Sequence, residues 1–137
     1  MDKVGYYLNA KDLMTSEVDV ANENTTVQEI SAKLFAGEFN GLPIVDDNNL
    51  VVGIVTAIDV LKAIQKGKAL YKFRAKDIMT PNPTVVKKDT LIDEIIDIMI
   101  EKGIIMVPVV EDNTNKILGI VTRLDIITEK LKEELTP

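Results

Sequence analysis

The sequence contains neither cysteine nor histidine. Disulfide frameworks, thiolate zinc sites and cysteine nucleophiles are therefore excluded, and the usual general base and commonest metal ligand are missing as well. Any catalysis would have to rest on carboxylates and lysines. No apolar run approaches a membrane span, and residues 1–10 (MDKVGYYLNA) lack the basic start and long apolar core of a signal peptide. The expectation is a soluble, cytoplasmic protein with no membrane association. Basic residues are the minority, 16 against 22 acids for a net charge of -6, so a polyanion gains no general attraction to the surface and nucleic acid is not an expected partner. The isoleucine- and lysine-rich composition leans thermophilic.

What the chain does have is a doubled unit. Lys11-Asp12-Leu13-Met14-Thr15 returns 65 positions later as Lys76-Asp77-Ile78-Met79-Thr80, and the register holds through Val20 and Val85, Thr25 and Thr90, Glu29 and Glu94, and Pro43 and Pro108. By Gly53 and Gly119 the spacing is 66, because Asp46-Asp47-Asn48-Asn49 faces the longer Glu111-Asp112-Asn113-Thr114-Asn115. Polar turns are where an insertion costs least. Two repeats are too few for a solenoid, and 137 residues suffice for one domain or two half-size units sharing a core. A face-to-face pair with pseudo-twofold symmetry is the simplest arrangement.

Each repeat reads as β-α-β-β-α. A helical turn around Asp12 to Met14 leads to a short extended piece at Val18 to Val20, and Thr25 or Thr26 then caps a helix. Val27, Ile30, Ser31 and Leu34 form its apolar stripe, matched by Ile92, Ile95, Ile96 and Met99. Gly37 and Gly103 mark the helix ends, Gly41 to Val45 and Leu50 to Val55 form a strand pair, and a last helix spans Ala57 to Gln65, or Arg123 to Leu135 in the second copy. Leu91, Ile98 and Ile100 lie off the second stripe, so that face belongs to a generous core or to a subunit interface. The boundaries are 1–9 for an N-terminal extension, 10–65 and 76–130 for the repeats, 66–75 for a linker and 131–137 for a tail.

The repeated Gly53-Ile54-Val55-Thr56-Ala57-Ile58-Asp59 and Gly119-Ile120-Val121-Thr122-Arg123-Leu124-Asp125 place a strand end on a helix start. Thr-x-x-Asp there can be simply a capping box. It can also be an anion and sugar site, since free N–H groups and the helix dipole favour a phosphate and a carboxylate accepts from a ribose diol. The basic stretch 66–76, with Tyr71 and Phe73 among its five cations, is a solvated linker or a place for a phosphate or an RNA strand. Ile127, Leu131 and Leu135 suit either docking or a frayed amphipathic end.

The Asp-(Leu/Ile)-Met-Thr opening, the Thr-capped helix, the apolar-Pro-(Ile/Val)-Val strand and Gly-Ile-Val-Thr-x-x-Asp each recur twice in order. In this the chain resembles a tandem pair of CBS domains, the Bateman module named after cystathionine β-synthase, over roughly 10–64 and 75–130. The resemblance implies an α/β (α+β) fold of two repeats packed sheet to sheet around a pseudo-twofold axis. It also implies two ligand clefts. One would comprise Thr122, Arg123 and Asp125 with Thr15, Val20, Phe39, Asn40 and Gly41; the other, Thr56 and Asp59 with Thr80, Val85, Ile104, Ile105 and Met106. Family members bind AMP, ADP, ATP or S-adenosylmethionine as regulatory ligands, with no cofactor required. Arg123 is matched by Ala57, so the Asp125 cleft is expected to hold phosphate. Ile105 replaces Asn40, making the other more apolar. Gly41 and Met106 stand where some members carry a basic residue, which weakens the case for a triphosphate.

The implied function is a homodimeric regulatory module that senses an adenosine compound and modulates a separate protein, since the chain leaves no room for an effector domain. The rival is a constitutive dimerisation scaffold with vestigial clefts. An enzyme is the weakest reading, because no nucleophile has an adjacent base and no cluster has metal-ligand spacing.

Overall fold

The computed structural model describes residues 7–37 and 39–135; Met1 to Tyr6 of the expected N-terminal extension, Glu38, and the last two tail residues lie outside the described set. In chain order the elements are α1 (Ala10–Leu13), β1 (Ala21–Asn22), α2 (Val27–Gly37), β2 (Gly41–Val45), β3 (Val51–Thr56), α3 (Ala57–Gln65), a 3-10 turn (Leu70–Lys72), α4 (Ala75–Ile78), β4 (Thr80–Pro81), β5 (Val86–Lys87), α5 (Ile92–Lys102), β6 (Met106–Val110), β7 (Ile117–Thr122) and α6 (Arg123–Leu135). The class is mixed α and β, and among the described residues no helix is long and apolar enough to cross a membrane.

The chain forms two compact units, one from residues 19–83 and one from residues 7–18 with 84–135. The first holds a four-stranded sheet in the order β1-β2-β3-β4. Strands β1 and β2 run parallel, joined by α2 as a crossover, and the other pairs are antiparallel. The second holds β5-β6-β7 with the same parallel and antiparallel pairings, and the bridge between Thr15 and Ile120 occupies the place of β4.

The extended piece expected at Val18 to Val20 falls instead at Ala21–Asn22, and likewise at Val86–Lys87 in the second copy. The threonine after each strand explains the shift. Thr25 Oγ1 accepts the Asn22 N–H at 3.1 Å and Thr90 Oγ1 the Lys87 N–H at 3.0 Å, closing a turn that fixes where the strand ends. The helix cap is a separate residue. Thr26 Oγ1 accepts the Glu29 N–H at 3.1 Å, whereas α5 begins behind Leu91 with no side-chain cap. The threonine cap expected in both copies is thus present in one, because leucine has no acceptor to offer.

Each core uses nine buried positions, and they are the same nine. Ala21, Val27, Ile30, Leu34, Leu42, Ile44, Val55, Val60 and Ala75 fill one unit; Val86, Ile92, Ile95, Met99, Val107, Val109, Val121, Ile126 and Ala10 fill the other. The helix stripe therefore lies as the 3.6-residue period requires. Ile98 packs against the second core, so of the three off-stripe residues only Leu91 and Ile100 are exposed. The longer turn leaves the strands undisturbed. Val45 faces Val51 and Val110 faces Ile117 after a bulge at the same place, and Asn49 and Asn113 adopt the left-handed conformation (φ 67° and 64°) that closes each turn.

Alanine 10 and Ala75 show that each unit borrows its opening segment from the other end of the repeat pattern. The Met14-Thr15 segment lies on β7 and Met79-Thr80 on β3, which explains a glycine in the middle of each strand. A side chain at Gly119 would meet Met14 Sδ and the Thr15 carbonyl at 2.7 Å, and one at Gly53 the Thr80 carbonyl at 3.1 Å. Gly119→Val should therefore destabilise the protein by about 1–3 kcal/mol through overpacking. Urea unfolding checks this; a midpoint equal to that of the natural chain would mean that the edge segment moves away without loss.

Candidate functional site

The two Thr-x-x-Asp corners form where a buried strand ends and a helix starts. Thr122 closes β7 and Arg123 opens α6; Thr56 closes β3 and Ala57 opens α3. In each, the aspartate accepts the threonine N–H at 2.8 Å through Oδ2, and the threonine hydroxyl accepts the aspartate N–H, at 3.3 Å for Asp125 and 3.4 Å for Asp59. The capping box is thus complete in both copies. It occupies one carboxylate oxygen, and among the described residues Oδ1 of Asp59 and Asp125 makes no hydrogen bond. Each corner keeps an acceptor for a ligand hydroxyl.

The corners differ in their donors. The Thr56 hydroxyl donates to Asp59 Oδ2 at 3.1 Å, whereas the Thr122 hydroxyl has no acceptor among the described residues. Beside it, Arg123 is exposed and enters no ion pair within the described set. The Asp125 corner therefore presents a hydroxyl, a guanidinium and the start of a 13-residue helix, all favourable to an anion. At the Asp59 corner a methyl group stands in place of the guanidinium and the hydroxyl is engaged.

Within each unit the segment leading into the central strand sits beside the corner, residues 104–106 beside Asp125 and residues 39–41 beside Asp59. The Arg123 N–H donates to the Ile105 carbonyl at 2.9 Å and the Ala57 N–H to the Asn40 carbonyl at the same distance. Met106 lies across from Thr122 and Gly41 across from Thr56 in the strand registers. Phe39 and Ile104 enter identically, their N–H groups donating to the carbonyls of Leu34 at 3.0 Å and Met99 at 3.1 Å. Gly41 and Met106 are buried, Ile104 and Ile105 half-buried, and Phe39 and Asn40 exposed. Val20 and Val85 are half-buried just before β1 and β5.

One unit accordingly brings together Thr15, Val85, Ile104, Ile105, Met106, Thr122, Arg123 and Asp125. The other holds Val20, Phe39, Asn40, Gly41, Thr56, Asp59 and Thr80. Thr15 and Thr80 reach the corners by strand pairing: Thr15 exchanges hydrogen bonds with Ile120 at 2.9 and 3.0 Å, and Thr80 pairs with Ile54. Sequence reasoning did not find this pairing. Its signal is the glycine retained mid-strand at 53 and 119, next to a repeated Met-Thr.

Known proteins share this fold. A family model for the CBS domain matches residues 10–66 and 75–132. The chain is 34% identical over 116 residues to L-aspartate semialdehyde sulfurtransferase of Methanocaldococcus jannaschii, a match covering 85% of this chain and 22% of that one; an uncharacterised relative from Methanopyrus kandleri is spanned over 57% of its length. Among solved structures, it is similar to the CBS domain pair of protein MJ0100 in complex with 5′-methylthioadenosine and S-adenosyl-L-methionine, with a TM-score of 0.81, 30% identity, and coverage of 93% of this chain and 98% of that one. It is also similar to CBSX2 of Arabidopsis thaliana in complex with AMP, with a TM-score of 0.80, 29% identity, and coverage of 92% and 98%.

Proposed function

This chain belongs to the CBS domain family as a tandem pair, and from that premise we propose that it is a regulatory module whose Asp125 corner holds the ribose and phosphate of an adenosine ligand. The uncommitted donor set of Thr122 and Arg123 beside the half-free Asp125 carboxylate carries this reading. Asp125 accepts from the ribose diol, and Arg123 with the Thr122 hydroxyl donates to phosphate oxygens. In the unit of Asp125, Thr15, Val85, Ile104, Ile105 and Met106 supply apolar faces and backbone groups for the base, and in the unit of Asp59 Val20, Phe39, Asn40 and Gly41 offer the same. The corner of Thr56 and Asp59, with Thr80 nearby, suits a ligand of lower charge. AMP and S-adenosylmethionine, the ligand types seen in similar structures, represent the two classes.

The module has no catalytic role in this proposal, and it acts in the cytoplasm on a separate protein. Such an effect requires a ligand that prefers one conformation over another. The functional form proposed is a homodimer. Ile58 and Leu61 on α3 recur as Leu124 and Ile127 on α6, and all four are more than half exposed. One observation favours a second reading: both Thr-x-x-Asp pairs complete a cap from their own protein groups. A constitutive scaffold would need nothing more of them.

A thermal-shift screen of AMP, ADP, ATP, S-adenosylmethionine and methylthioadenosine, with guanosine nucleotides as controls, separates the two. A ligand at 100 times its dissociation constant is expected to stabilise the fold by about 2.7 kcal/mol. The scaffold predicts no shift with any of them from nucleotide-free protein, while sedimentation equilibrium still gives a dimer. A monomer at all concentrations would reject both forms of the dimer reading.

A further inference from the structure

Charge is distributed unevenly along the chain. Lys62, Lys66, Lys68, Lys72, Arg74 and Lys76 are six of its 16 basic residues, and no acid lies between Asp59 and Asp77, although the chain has 22. All but Lys68 are exposed, and among the described residues none is in a salt bridge. The backbone beneath them is held in place. Gly67 (φ 74°) ends the helical stretch, the Lys68 N–H donates to Ala63 and the Lys72 N–H to Ala69, and Leu70 and Phe73 pack against the core. Tyr71, 60% exposed, is left facing outward.

The other unit serves as an internal control for what the fold needs. There Tyr7-Leu8-Asn9-Ala10-Lys11 stands in place of Lys72-Phe73-Arg74-Ala75-Lys76 and builds the same joint. Ala10 donates to Thr90 at 2.9 Å as Ala75 does to Thr25 at 2.8 Å, and Leu8 accepts from Ile92 as Phe73 does from Val27. Tyr7 and Asn9 stand where Lys72 and Arg74 do, so the joint does not require those two cations. Local physics accounts for some of the rest. Lys62 and Lys66 lie at the negative end of α3, Lys68 sits 4.4 Å over the Phe73 ring, and Arg74 donates to the Asn24 carbonyl at 2.7 Å. Lys76 lies in the single turn of α4, at the position that Lys11 holds in α1. Lys72 makes only a long approach of 5.8 Å to the Tyr71 ring.

We propose that residues 62–76 form a docking strip for an acidic, extended segment of a partner protein. The lysines pair with its carboxylates and Tyr71 packs against its apolar or peptide groups. This rests on the reading that the module acts on a separate protein. A short acidic peptide fits better than nucleic acid for two reasons. Single-strand binders offer successive stacking platforms, whereas only Tyr71 is free to stack here. A long polyanion would also extend over surface where the acids outnumber the remaining cations, within about 8 Å of screening length.

The test is fluorescence anisotropy with a fluorescein-labelled peptide of about 15 residues, rich in Asp and Glu with two leucines, and with no nucleotide present. Saturable binding that weakens steeply from about 50 mM to about 300 mM salt is expected. It should weaken about tenfold or more in Lys72→Glu/Lys76→Glu, and to a lesser degree in Lys72→Gln/Lys76→Gln and in Tyr71→Ala. Lys11→Glu/Lys116→Glu, with the same charge change in the other unit, should bind within about twofold of the natural chain. Equal losses in the two Glu variants, or no binding at all, would overturn the proposal. Tighter binding of a labelled oligouridine, lost in Lys72→Glu/Lys76→Glu, would also overturn it by assigning the strip to nucleic acid. Because no nucleotide is present, these outcomes are independent of whether the module senses one.

Discussion

Asp125→Ala is expected to weaken adenosine-ligand binding by about tenfold to a hundredfold, the counterpart of roughly 1.5–3 kcal/mol for hydrogen bonds to a charged group. The same change removes half of a capping box and should lower stability by about 0.5–2 kcal/mol. The two effects can be separated within the molecule. Asp77 accepts the Arg74 N–H at 2.8 Å and Asp12 the Asn9 N–H at 3.0 Å, in the same capping geometry but away from the strand-to-helix corners. Asp77→Ala should therefore share the loss of stability and leave affinity unchanged. Titration calorimetry with whichever adenosine compound shifts the melting temperature measures both variants. If they bind alike, the aspartates are caps and nothing more. Arg123→Ala should weaken a phosphate-bearing ligand by a comparable factor and Asp59→Ala much less. Equal losses from Arg123→Ala and Asp59→Ala would remove the proposed difference between the corners.

The parts of the fold that could be read in advance are those set by local signals. A threonine cap followed by a clean apolar period defines α3 and α6, and their limits of Ala57–Gln65 and Arg123–Leu135 match the expected ones. The strand pairs follow from apolar runs broken by Asn-rich turns. Val18 to Val20 misled because β-branched alternation resembles a strand, whereas hydrogen bonds to Thr25 and β2 place the strand at Ala21–Asn22. Repetition also has a limit as a guide: it reveals which segments are alike, not which are neighbours. That Met14-Thr15 lies on β7 and Met79-Thr80 on β3 depends on pairing between Thr15 and Ile120 and between Ile54 and Thr80, residues far apart in sequence, where no local propensity points. At the corners, Thr-x-x-Asp was legible as a cap, while the uncommitted Thr122 hydroxyl is a matter of side-chain geometry.

Ile95→Ala is expected to lower stability by about 2–5 kcal/mol, a large share of the roughly 5–15 kcal/mol typical of a domain. Ile95 is fully buried in α5, and its removal leaves a cavity among residues that the sheet holds rigidly. Because Ile30 occupies the same position in the other core, Ile30→Ala should cost a similar amount. The matched cores make a sharper claim about shape. Leu34 and Met99 are equivalent, so Leu34→Met and Met99→Leu should each cost less than about 1.5 kcal/mol. Ile100, 75% exposed one residue beyond Met99, tests the other side of the helix. On an uncovered surface Ile100→Ala should change stability by no more than about 0.5 kcal/mol. If a second copy covers that face, the loss grows with protein concentration, because dissociation is then coupled to unfolding. Urea unfolding at two concentrations distinguishes these cases. A concentration-independent loss as large as that of Ile95→Ala would contradict the exposure of Ile100, since only burial within the chain itself produces one.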